Sequence, residues 1–207
     1  MSEFSNRTTM PSWLYSAGYI NNLYSALKGL EVGTIQLDIF GLRTIVSNDF
    51  EDEAIVETGS SEKASGGILA SQGVIGSLNR VNAATDKAAR VVLKSNTTGE
   101  FQFPTVVLPY DLDDAEAMTV HLLTRMAGAT DTTTTIDVQA FFGVGDTECG
   151  GATSALTNVL AQKSVALAAG DVPAYPGALN IMLVPGTHAN DAIWIYGAWV
   201  TYTRKPR

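Results

Sequence analysis

The chain ends on "DAIWIYGAWVTYTRKPR", residues 191–207, and the reading of this stretch decides the fold. β-Branched and aromatic residues dominate it, and such residues fit a pleated, half-buried surface. Two of the three tryptophans lie here, Trp194 and Trp199. At period two, Trp194, Tyr196, Val200 and Tyr202 point one way, and Ile193, Ile195, Trp199, Thr201 and Thr203 point the other. Both faces are therefore apolar and aromatic as far as Trp199, whereas a strand with one wet face carries polar residues on one side. The expectation is a strand covered on both faces, with Trp194, Tyr196, Trp199 and Val200 in the core or at a subunit contact. With "LNIMLVPG" before it, the stretch reads as a hairpin whose loop is "PGTHAND". A last strand held in this way leaves only Lys205 to Arg207 free.

Upstream, the same texture recurs. "AARVVLKSNTTGEFQFPTVVLP" (88–109) holds two β-rich runs around a turn cluster at Asn96 to Gly99. "AMTVHLLTRMAG", "TTTTIDVQAFFGVG" and "KSVALAAGD" follow, each short and each closed by Gly or Asp. Helix-sized crossovers between them are missing, so the pattern predicts an antiparallel sandwich rather than a parallel α/β sheet. One segment, "GGATSALTNVLAQK" (150–163), has the make-up of a short helix between strands. The fold class expected is all-β: a jelly-roll-like antiparallel β-sandwich of roughly 8 strands, with an N-terminal arm containing a short helix.

Three regions follow from this division. Residues 1–48 form the arm. "PSWLYSAGYINNLYSALKGL" opens on Pro11 and Ser12, a helix start, and Tyr19, Ile20, Leu23, Tyr24 and Leu27 recur at helical spacing up to Gly29. Trp13, Leu14, Tyr15, Tyr19, Leu23 and Tyr24 make this helix a candidate interface with a subunit or partner. "TIQLDIFGLRTIV" (34–46) then alternates like a strand. Residues 49–87 combine an acidic edge with a long Gly- and Ser-rich surface loop. Residues 88–207 are the sandwich.

Composition narrows the function. The apolar fraction is 45% but charged residues are only 16%, below the roughly 25% of an ordinary domain. Large interfaces deplete charge at their centres, so an assembly is expected. The net charge of −8 repels nucleic acid at long range. No apolar run reaches the roughly 18 residues of a membrane span, and "MSEFSNRTTM" lacks a secretory signal pattern. A single cysteine, Cys149, forms no intramolecular disulfide.

No constellation of catalytic residues stands out. His121 in "TVHLLT" reads as a strand filler or polar-face residue, and His188 in "PGTHAND" as a turn residue. Neither belongs to a zinc-ligand spacing. "DLDDAEA" gathers Asp111, Asp113, Asp114 and Glu116 but lacks the fixed Gly and distal Glu of a calcium loop. "GVGDTECGG" has four glycines but no Lys-Ser or Lys-Thr pair, so it is no phosphate loop. Cys149 has no cationic neighbour to activate it. The expectations are no enzyme, no cofactor and no metal.

The closing hairpin "LNIMLVPGTHANDAIWIYGAWVTYTRK" and the upstream "FPTVVLPYDLDDAEAMTVHLLTRMAG" resemble structural proteins of tailed bacteriophages, specifically capsid cement or decoration proteins. The resemblance covers about residues 88–205. It implies a homo-oligomer, expected as a trimer, that sits on the outer capsid surface of the virion and clamps neighbouring major capsid subunits after synthesis in the host cytoplasm. Nucleic acid and membrane are not expected partners. The alternative is a receptor- or carbohydrate-binding virion module, fibre- or lectin-like, which requires exposed aromatics beside polar loop residues.

Overall fold

A computed structural model describes residues 31–46, 49–50, 76–80, 89–93, 95, 100–143 and 147–205. The candidate interface residues Trp13, Leu14, Tyr15, Tyr19, Leu23 and Tyr24, and the helix expected around them, lie outside the described residues.

Two antiparallel sheets pack face to face. The first contains β1 (Val32–Leu37), β4 (Gly76–Arg80), β5 (Ala89–Leu93), β8 (Met118–Met126), β11 (Ala161–Leu167) and β13 (Ile193–Thr203). Its order is β11-β8-β13-β5-β4, and β1 joins the C-terminal part of β13 beside β5. The second contains β2 (Arg43–Val46), β3 (Asp49–Phe50), β6 (Glu100–Gln102), β7 (Val106–Val107), β9 (Ile136–Phe142), β10 (Cys149–Ala152) and β12 (Ala178–Pro185). Its order is β10-β9-β12-β6-β2-β3, with β7 on β12. From β8 onward the chain passes between the sheets repeatedly, so β12 and β13 lie in opposite sheets and do not pair as the expected hairpin. The protein is an all-β, jelly-roll-like antiparallel sandwich.

Alternation builds this core. β8, "MTVHLLTRM", buries every second residue, from Met118 to Met126. β12 does the same with Leu179, Ile181 and Leu183. Phe101 and Phe103 fill the space between sheets and are almost wholly buried. Each such side chain removed from water contributes roughly 1.5–3 kcal/mol.

Four expectations are corrected. The two sheets hold thirteen strands among the described residues, not eight, because short segments before residue 88 join them. β1 pairs with β13 over six residues and β2 pairs with β6, so the stretch 32–46 is built into both sheets rather than forming a separable arm. The segment 150–163 contains no helix. Its start is β10 and its end is the opening of β11, and between them Thr153 N–H and Leu156 N–H donate to the carbonyls of Ile136 and Thr134. Gly150, at φ +139°, could not take a side chain here, since a Cβ would meet the Val138 carbonyl oxygen. The basic tail is also not free at Lys205. Its Nζ pairs with Asp114 at 2.9 Å, and its N–H donates to the Asp111 carbonyl.

That tail gives the acidic run 111–114 a structural part. Arg204 Nε lies 3.4 Å from Asp111, Tyr202 Oη donates to the same carboxylate, and Asp113 N–H donates to the Thr203 carbonyl. The end of β13 is tied on one side to this run and on the other to β1.

Candidate functional site

A fifth correction decides the site. β13 does not alternate without interruption. Ile195 opposes Thr124 and Gly197 opposes Leu123, the next residue along β8, so Tyr196 is an extra residue in a β-bulge. A bulge resets the alternation. Ile193 and Ile195 are buried before it, and Ala198, Val200 and Tyr202 after it. Trp194 and Trp199, five residues apart, therefore both stand on the outer face of the first sheet, and both are half-buried. Of the four residues expected in the core or at a contact, Val200 is core. Trp194, Tyr196 and Trp199 belong to the outer face. Gly197 suits the bulge, since a residue without Cβ bends most freely there.

Register assembles the rest of this face. One row runs Ser164 (β11), His121 (β8), Trp199 (β13) and Gln36 (β1). The next runs Ala166, Thr119, Thr201 and Thr34. Toward the other end lie Gln162, Leu123 and Gly197, and then Arg125, Trp194 and Val92.

Side chains interlock across these rows. The His121 and Trp199 rings stack, with centroids 5.2 Å apart and planes 23° from parallel. Gln162 Nε2 donates to His121 Nδ1 at 2.9 Å, and the Ser164 hydroxyl lies 2.8 Å from the same nitrogen. Nδ1 is thus the acceptor, and Nε2–H donates to Thr201 Oγ1 at 2.9 Å. Burial lowers the His121 pKa from its ordinary value near 6.5, which favours the neutral ring. At the other end, the Arg90 guanidinium lies 3.4 Å from the Trp194 ring centroid and that of Arg125 lies 4.9 Å away. Arg90 Nη1 also donates to Tyr196 Oη.

The face is aromatic, hydroxylic and amidic, and its strands carry no acid. The six strands of this sheet contain no Asp or Glu, although the chain has 21 such residues. Rings set among side-chain amides and hydroxyls can stack against a flat apolar surface while bonding hydroxyls at its rim.

The remaining expected residues lie elsewhere. His188 is buried in the β12–β13 loop, its Nδ1 2.6 Å from the Gly186 carbonyl. Cys149 is buried on β10, and its thiol donates to the Ala140 carbonyl. Among the described residues, no three His, Cys, Asp or Glu side chains are gathered to share a metal ion. Sequence reading missed Arg90, Arg125, Gln162, Ser164 and Thr201 as parts of one surface, because only strand register brings them together.

No family model matches the chain, and no curated protein matches it. Similar solved structures include a xylan-binding module of family CBM15, with TM-score 0.44 and 10% identity over 84% of this chain and 99% of that one. The module TmCBM61, solved with β-1,4-galactotriose, gives TM-score 0.42 and 16% identity over 63% of this chain and 83% of that one. The C-terminal CBM6 of LamC, a laminarinase of Zobellia galactanivorans, gives 0.39 and 12% over 62% and 91%.

Proposed function

We propose that the protein is a non-catalytic carbohydrate-binding module that takes a glycan chain on the outer face of its first sheet. The observation that carries this reading is the half-buried Trp199 ring, held by its stack on His121 among Gln162, Ser164 and Thr201 on a solvent-facing sheet. A pyranose ring has an apolar face of axial C–H groups and an equatorial rim of hydroxyls. Trp199 offers the matching ring, and Gln36, Gln162, Ser164 and Thr34 offer amides and hydroxyls beside it. Pre-fixing the ring through His121 spares the entropy of ordering it when ligand arrives. Glycan-array binding and calorimetry on the full chain test the reading. Binding is expected, and Trp199→Ala should lose it while keeping the wild-type fold.

The sequence resemblance to capsid decoration proteins supports a compatible setting, a virion protein in which the segment before residue 31 contacts a subunit or the shell. Trimer formation and capsid clamping are separate proposals within it. Light scattering that gives only a species of 21.9 kDa would contradict the trimer, and failure to co-sediment with shells would contradict the clamp.

A further inference from the structure

We infer that the glycan taken by this face is anionic, a polysaccharide bearing uronic acid carboxylates, and that Arg125 binds the carboxylate. This deepens the proposed carbohydrate-binding function and rests on it.

The chain carries −8 overall, yet the strands of this sheet hold Arg80, Arg90, Arg125 and Lys163 and no acid at all. Lys163 is turned to the edge loop, where it donates to Ser154 and the Ala155 carbonyl. Arg125 is on the outer face. Its Nε donates to the Met126 carbonyl, and its guanidinium stands beside Trp194. Among the described residues no carboxylate reaches it: the ion pairs there are Arg204–Asp111 and Lys205–Asp114, beyond the opposite end of β13. Among the described residues one N–H of its five is used, which leaves the two terminal nitrogens as donors at the surface.

Geometry selects the anion. A guanidinium fork matches a planar carboxylate with two parallel hydrogen bonds, and such bidentate pairs are roughly twice as strong as neutral ones. Trp194 orients the fork by a cation–π contact, which holds it without neutralising it. Arg125 and Trp199 stand on neighbouring strands of one face, with Leu123 and Gly197 between their rows. Side chains two residues apart along a strand lie about 7 Å apart, and Arg125 is four residues from His121, the partner of Trp199. The span is about 13 Å, enough for a second or third sugar. One residue of the chain then stacks on Trp199 while a further residue presents its carboxylate to Arg125. A neutral glycan would leave that donor pair answered by water alone.

Calorimetry on the full chain, at low and moderate salt, tests this with four probes: oligogalacturonate, a neutral xylo- or galacto-oligosaccharide, a sulfated oligosaccharide, and single-stranded DNA. The expected result is binding to oligogalacturonate that weakens with salt, with the neutral oligomer at least ~10-fold weaker. Arg125→Gln should weaken uronate binding ~10- to 100-fold, a larger loss than for the neutral oligomer. Arg125→Lys should recover only part of it, because an ammonium is not a fork. Equal affinity for neutral and uronate chains overturns this inference and leaves the carbohydrate-binding function standing. Preference for the sulfated probe over the uronate overturns the carboxylate assignment. Binding to DNA alone, or to no probe, overturns both the inference and the function beneath it.

Discussion

His121 and Trp199 stand directly opposite each other on β8 and β13, their rings stacked at 5.2 Å on the outer face of the first sheet. The stack couples a titratable ring to a fluorescent one. The His121 pKa is lowered by burial, so the unfolded chain binds a proton before the folded one does. Stability supplied by neutral His121 is complete above about pH 6.5 and is lost as pH falls through the lower folded value. Nδ1 would also cease to accept from Gln162. Tryptophan emission should therefore change with a midpoint below 6.5, and His121→Gln should abolish that change. A pH-independent emission between 7 and 4 would contradict the stacked, neutral histidine.

A second prediction concerns the seam between β1 and β13. Gly33 opposes Tyr202, and a Cβ at Gly33 would overlap the Tyr202 ring at its Cζ edge. The ring is held in place by its hydroxyl's bond to Asp111. Gly33→Ala must displace Tyr202 and break that bond, at a cost of about 1–3 kcal/mol. Thermal melting checks it, and Thr34→Ala, on the exposed side of the same strand, is the control expected to stay within about 0.5 kcal/mol.

Acid should loosen the loop end of the sandwich. Asp131 accepts from the N–H groups of Asp191 and Asn190, and Asp191 accepts in turn from those of Thr130 and Asp131. The bonds from Asp191 and Asn190 hold the Asp131 carboxyl below the usual carboxylate value near 3.8. Its contribution to stability is present above that value and disappears as pH falls through the folded one. The melting temperature should fall more steeply below pH 4 in the wild type than in Asp131→Ala, which should already be less stable at pH 7. Parallel pH profiles would contradict this clasp.

Burial pushes the Cys149 thiol up to about 11. The thiolate is the reactive form, so a thiol reagent at pH 8 should label folded protein far more slowly than unfolded protein. Immediate labelling of the native chain would contradict the packing of β10 on β9.

The sequence made the sandwich legible because its strands are short, β-branched and bounded by Gly, Pro and Asp. Period two alone separates Met118, Val120 and Leu122 from Thr119, His121 and Leu123. It misplaced Trp194 and Trp199 on opposite faces because the extra residue at Tyr196 leaves no compositional mark beyond Gly197. Register also hid the site, since Ser164, His121, Trp199 and Gln36 are scattered over the chain and meet only as one row. The role of Asp111 to Asp114 was hidden for the same reason, because their partners Arg204 and Lys205 are some ninety residues away.

The central claim is that the sheet face around Trp199 binds a glycan. Isothermal titration of a glycan found on an array, into wild type and into Trp199→Ala, tests it most directly. The account predicts saturable binding by the wild type and at least ~10-fold weaker binding by Trp199→Ala, with both proteins folded. Wild-type protein that binds no glycan, or a folded Trp199→Ala that binds as tightly as wild type, would contradict it.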